Sequence, residues 1–144
     1  MHPPKSRSKA FYFCIDNDLV YEPFFADFGP LDICKVHLFV KELERLLANE
    51  AYRTHKIYHF SVDEIDKKAN AALLMCCFLM ISLKKSAEEA WKLFAPYHLK
   101  IVPFRDATMG ACNYKCTIFD CLKGLEAALE LGWYNFKTFD VSEY

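Results

Sequence analysis

The sequence has no surplus of charge of either sign. Eighteen Lys and Arg stand against nineteen Asp and Glu in 144 residues, a formal net charge of -1. No global field therefore draws the chain toward nucleic acid or an anionic membrane, and neither is expected as a partner. A long apolar run is also missing. The stretch over residues 71–81 holds eleven uninterrupted apolar residues, whereas roughly 18 are needed before a membrane span is considered. No apolar segment follows the basic start MHPPKSRSK, so no secretory signal is expected. The seven cysteines are an odd number and, without a secretory context, read as reduced thiols, which points to the cytosol or nucleus. Neither a Gly/Ser-rich linker nor an internal repeat divides the chain. What is present is apolar bulk: 53% hydrophobic and 16% aromatic residues exclude a disordered chain, and the length fits one domain with a full core. Function must reside in a local site or an interface.

Residues 1–9 carry Lys5, Arg7 and Lys9 among prolines and serines and are expected to form a flexible basic tail. Residues 10–144 are expected to form one domain whose C-terminal end leads toward a linker. FYFCI reads as a strand followed by turn chemistry at Asp16-Asn17-Asp18, and LVYEPFF as a second extended run ending at Gly29-Pro30. Val36, Phe39, Val40, Leu43, Leu46 and Leu47 recur at helical spacing, with a stop near Asn49. KIYHF reads as a short strand. A second helix, buried on nearly all sides, is expected from near Lys67. Ser86 and Glu89 have the capping-box spacing of a third helix, ended by Pro96. Ile118, Leu122, Leu125 and Leu129 share a face of the last helix, and Gly132 sits where a left-handed cap belongs.

The chemically informative unit is strand KIYHF, loop SVDEID and the helix opening KKANAALLM. A strand feeding a loop at a helix N-terminus aims unpaired N–H groups and the positive end of the dipole into one small volume, which suits an anion. Phosphatases that work through a cysteinyl-phosphate use this layout, with a His-Cys pair closing the strand, five loop residues and an arginine starting the helix. The cysteine attacks phosphorus as a thiolate, and the arginine grips two phosphate oxygens. Here His59 takes the histidine position, Phe60 the nucleophile position and Asp66 the arginine position. No cysteine in the chain has an arginine six residues later. The degenerate loop is thus His59, Phe60, Ser61, Asp63, Glu64 and Asp66, and its carboxylates would repel a phosphate dianion. They either stabilise a helix N-terminus or contact a basic peptide.

The runs FYFCIDNDLVYEPFFADFGPLDICKV, IYHFSVDEIDKKANAALLMCCFLMI, SAEEAWKLF and VPFRDATMGACNYKCTIFDCLKGLEAALELGWYNF closely resemble the amino-terminal domain of the cell-division-cycle-fourteen dual-specificity phosphatases. That family joins two phosphatase-like domains through a linker helix. The resemblance implies that the catalytic Cys and Arg lie in the second domain, while the first is a degenerate copy walling the substrate groove. It implies an α/β, dual-specificity (cysteine-dependent) phosphatase-like fold with a small central sheet flanked by helices. It further implies a non-catalytic domain whose partners are a catalytic phosphatase domain and phosphoprotein substrates, in nuclear or cytoplasmic cell-cycle dephosphorylation before proline. Asp66 departs from members that carry a basic residue there. A free-standing pseudophosphatase adaptor is the alternative.

Other constellations have plainer readings. Cys112, Cys116 and Cys121 have a spacing that can bring two thiolates together on a helix as metal ligands, yet there is no CxxC pair or nearby histidine; no metal and no cofactor is expected. Cys76 and Cys77 are read as core. Arg105 and Asp106 are expected to form an ion pair pinning a loop, Asp27 to accept turn hydrogen bonds, and His59 to bond to the degenerate loop. His37, His55 and His98 are expected at the surface. The aromatic cluster from Phe11 to Phe28, with Trp133, Tyr134, Phe136 and Phe139, is read as core, interface or both.

Overall fold

The computed structural model describes residues 9–144; the basic segment expected over residues 1–9 lies, apart from Lys9, outside the described residues. Aromatic and β-branched residues make two short strands, β1 (Ala10–Phe13) and β2 (Lys56–His59), which pair in parallel with Phe11 opposite Ile57 and Phe13 opposite His59. Parallel pairing demands a crossover, and helix α1 (Ile33–Ala48) lies within it. Its carboxylate cap is Asp32, which accepts from the Lys35 amide at 2.9 Å. Val36, Phe39, Val40, Leu43 and Leu46 line its buried face, and Asn49 closes it before a 3-10 turn over Glu50–Tyr52.

Helix α2 (Ile65–Ile81) is apolar around most of its circumference, and α1, α3 (Ala87–Lys92) and α4 (Ile118–Glu130) all pack on it. The core is built on this helix: Leu74 and Cys76 are fully buried with Phe39, Val40, Phe104, Ile118 and Leu122. Capping boxes open α3, from Ser86 and Glu89, and α4, from Thr117 and Asp120. A second pair, β3 (Phe104–Arg105) and β4 (Lys115–Cys116), is antiparallel. Four helices with two small sheets meet the α/β expectation. Gly132, just past α4, has φ of +72°, the left-handed conformation expected of it.

Two local expectations are corrected. LVYEPFF forms no strand, because Asp27 gathers the segment around its carboxylate: it accepts from the Tyr21 hydroxyl at 2.6 Å and from the Phe24 and Phe25 amides at 3.0 and 2.8 Å. Amides held by a side chain are withdrawn from any ladder. The third helix ends at Lys92, before Pro96, which instead lies in a 3-10 turn over Ala95–Tyr97.

Candidate functional site

Strand β2 delivers the chain to the loop over residues 60–64, and its ladder runs one bond further, the Phe60 amide donating to the Phe13 carbonyl at 3.1 Å. The strand, loop and helix bring His59, Phe60, Ser61, Asp63, Glu64 and Asp66 into one unit. The loop amide that an anion would seek is already engaged. Val62 N–H donates to Asp16 Oδ2 at 2.8 Å, and Lys67 Nζ donates to the Asp16 carbonyl at 3.2 Å. Asp16 is itself buried, so the turn after β1 inserts its own carboxylate where the layout would receive a ligand's. Asp63 pairs with Lys68 at 2.7 Å, which lowers its carboxyl below the usual range. Glu64 occupies the cap position without a side-chain cap bond, and Asp66 lies in the first turn. The strand and helix start are in place, but an internal carboxylate takes the Val62 amide of the loop.

This chain matches, over residues 1–128, the family described as dual specificity protein phosphatase, N-terminal half. It belongs to that family. It is 43% identical over 142 residues to the human dual specificity protein phosphatase CDC14A, covering 98% of this chain and 24% of the relative. The Caenorhabditis elegans tyrosine-protein phosphatase cdc-14 is 35% identical over 146 residues, covering 97% and 21%. The Schizosaccharomyces pombe tyrosine-protein phosphatase CDC14 homolog is 30% identical over 146 residues, covering 99% and 27%. The chain thus spans about a quarter of the length of these relatives.

In this dual-specificity phosphatase N-terminal domain, His59 differs from the reading that bonds it to the loop. Its ring lies 5.0 Å from Phe13 and 4.9 Å from Phe39, and Nε2 is buried without a hydrogen-bond partner. Burial pushes the imidazole down to about 4, so it is neutral at physiological pH. His37 is likewise not at the surface. It is buried, with Nδ1 2.9 Å from the Tyr134 hydroxyl and its ring against Phe136 and Phe139. Burial, followed by the Lys41 charge, depresses it also. His55 is half-buried with Nδ1 unpartnered, and His98 is exposed.

Arg105 and Asp106 sit where β3 gives way to the loop before β4. Arg105 Nη2 donates to the Gly110 carbonyl at 2.7 Å and to Thr108 Oγ1 at 3.1 Å. Asp106 accepts from the Asn113 and Tyr114 amides at 2.8 and 2.9 Å. The two side chains approach within 3.7 Å. The Thr108 hydroxyl, then burial's opposing effect and the two amides, leave the Asp106 carboxyl lowered.

Sequence reasoning missed the partner of Asp16 and the part played by Asn70. The buried Asn70 donates to the Phe28 carbonyl at 2.7 Å and accepts from the Leu31 amide at 3.1 Å, tying both sides of Gly29-Pro30 to α2. The signal was a single amide side chain directly before the apolar run. Asp16, Asp27, Asp66, Lys67 and Asn70 share a cavity of about 110 Å³. The Tyr21 hydroxyl and the Phe25 and Phe24 amides, against the opposing effect of burial, hold the Asp27 carboxyl down at about 2. Among the described residues no cluster of three or more His, Cys, Asp or Glu is arranged to hold a metal, and no helix is long and apolar enough to cross a membrane.

Proposed function

We propose that this domain is the non-catalytic recognition half of a dual-specificity protein phosphatase, packing on a catalytic phosphatase domain and helping to select phosphoprotein substrates in cell-cycle dephosphorylation. The observation that carries the reading is the occupied loop: Phe60 and Asp66 stand at the nucleophile and phosphate-gripping positions, and the Val62 amide is taken by Asp16. Covalent catalysis needs an activated nucleophile beside its oxyanion donors, and this unit lacks the nucleophile and has one of its loop amides taken. The family match and the greater length of the relatives support a catalytic domain in the same polypeptide. Exposed Asp63 and Glu64 would favour basic residues near the phosphorylated position, and exposed Phe24, Phe25 and Trp133 would supply apolar surface to the partner domain. An intracellular site of action, nuclear or cytoplasmic, fits the reduced thiols.

The purified chain, assayed against p-nitrophenyl phosphate and phosphopeptides, should show no turnover above buffer. Turnover that a single Cys→Ser substitution abolished would overturn the reading. In the full-length enzyme, Asp63→Ala with Glu64→Ala should raise KM several-fold for peptides bearing a basic residue and leave kcat unchanged.

A further inference from the structure

The start of α4 holds two thiols in contact. Thr117 is the helix cap, so Cys116 is the residue before the cap and Cys121 the fourth residue of the helix. In a capped helix these two positions are neighbours in space and commonly carry a pair of apolar side chains that fix the entry of the chain. Here the pair is two free cysteines, with Sγ atoms 3.5 Å apart. The geometry that joins them comes from the backbone and from the reciprocal bonds of the capping box, Asp120 N–H to Thr117 Oγ1 at 3.0 Å and Thr117 N–H to Asp120 Oδ2 at 2.9 Å. Both cysteines are half-buried rather than fully enclosed, which leaves them open to a small oxidant, and Cys121 also faces a groove of about 430 Å³ between α1, α2 and α4. Cys76 and Cys77, by contrast, are buried at 0% and 3% exposure. Among the described residues no other two thiols are in hydrogen-bond contact.

We propose that Cys116 and Cys121 are an oxidative modification site that a hydroperoxide converts to a disulfide, locking the start of α4 to β4. Burial pushes the Cys121 thiol up, and Cys116, on β4 ahead of the cap, is assigned as the sulfur oxidised first. The Cys116 thiolate attacks one peroxide oxygen, the O–O bond breaks, and Cys116 becomes a sulfenic acid as hydroxide leaves and is protonated to water. Cys121 sulfur then attacks the sulfenic sulfur. The S–S bond forms, the S–O bond breaks, and the sulfenic hydroxyl departs as water with the Cys121 proton. Two thiols lose two protons and two electrons, and one hydrogen peroxide becomes two waters. The Sγ atoms, 3.5 Å apart, have to close to the roughly 2.05 Å of an S–S bond, a short approach for two side chains that the cap already holds side by side. A dithiol reductant reverses the step.

The chain treated with stoichiometric hydrogen peroxide, then alkylated with iodoacetamide and digested, tests this. Trypsin cuts after Lys115 and Lys123, so both cysteines fall in the peptide 116–123. That peptide should lose two hydrogens and refuse alkylation, and dithiothreitol should restore both alkylation sites. Cys121→Ser should stop at a sulfenic acid on Cys116 that dimedone captures, and Cys116→Ser should leave Cys121 unoxidised. Peptide 116–123 that still alkylates twice after peroxide, that gains two oxygens on Cys116 instead, or that joins to another cysteine's peptide would overturn the proposal. Disulfide formation in the Cys116→Ser variant would do the same.

Discussion

His59 shows how one buried ring couples this fold to pH. Above its ordinary value of 6.5 the imidazole is neutral both in the folded chain and in the unfolded one, and contributes no pH dependence. Between 6.5 and about 4 the unfolded chain takes up a proton that the folded chain refuses, so stability falls as pH falls through that window, by a few kcal/mol at most. Urea titrations of His59→Phe should show a shallower loss of stability from pH 6.5 to 4 than the parent; an unchanged slope would assign the acid sensitivity elsewhere. His37, depressed in the same direction, would then account for part of what remains. Gly29 is the second residue whose identity is dictated by its surroundings. A Cβ there would lie 2.5 Å from the Phe104 ring and 2.9 Å from Asn70 Oδ1. Gly29→Ala should cost about 1–3 kcal/mol through overpacking, and less in a Phe104→Leu background, a coupling that a double-mutant cycle reads directly.

Elements here are decided by who caps them. Helix α3 is short and leans on its box, so Ser86→Ala should cost about 1 kcal/mol in thermal or urea melts. The start of α2 leans on a side chain from another part of the chain, and Asp16→Ala should cost about 1–3 kcal/mol because the Val62 amide loses its partner. The contrast explains what was legible in the sequence. Apolar spacing in α1, α2 and α4 and the Ser86–Glu89 box are local signals, and the helices follow them. The segment from Leu19 to Phe25 carries strand formers on both sides of Glu22-Pro23, yet Asp27 captures the Phe24 and Phe25 amides, a competition that residue types alone do not rank. His37 was expected at the surface and His59 bonded to the loop for a related reason: their burial depends on Tyr134 and Phe39, which only the tertiary structure brings near. The degenerate loop was legible as Phe60 and Asp66, but not the carboxylate that fills it.

At the scale of the molecule, apolar bulk serves both as core and as surface. Phe39 and Phe104 are buried, and the half-buried Phe13 and Phe28 pack on them in the ring contacts Phe13–Phe39 and Phe28–Phe104. Phe24 and Trp133 remain about 80% exposed. Truncating a side chain that the folded domain leaves in water should change its stability little. Trp133→Ala should therefore shift the urea midpoint of the isolated chain by less than about 0.5 kcal/mol equivalent, while weakening any association with a catalytic half supplied in trans.

The bond from Val62 to Asp16 joins residues 46 positions apart, and the parallel pairing of Ala10 with Lys56 closes a span of the same size. Neither contact can form until the intervening chain exists and has been drawn together, a closure that costs entropy before it returns any stability. Helix α1, lying wholly within that span, can form earlier from its local bonds. On the ribosome the first strand and its turn therefore wait for their partners while more than forty further residues are synthesised, and the moment the loop receives Asp16 is also the moment the N-terminal strand gains its parallel neighbour.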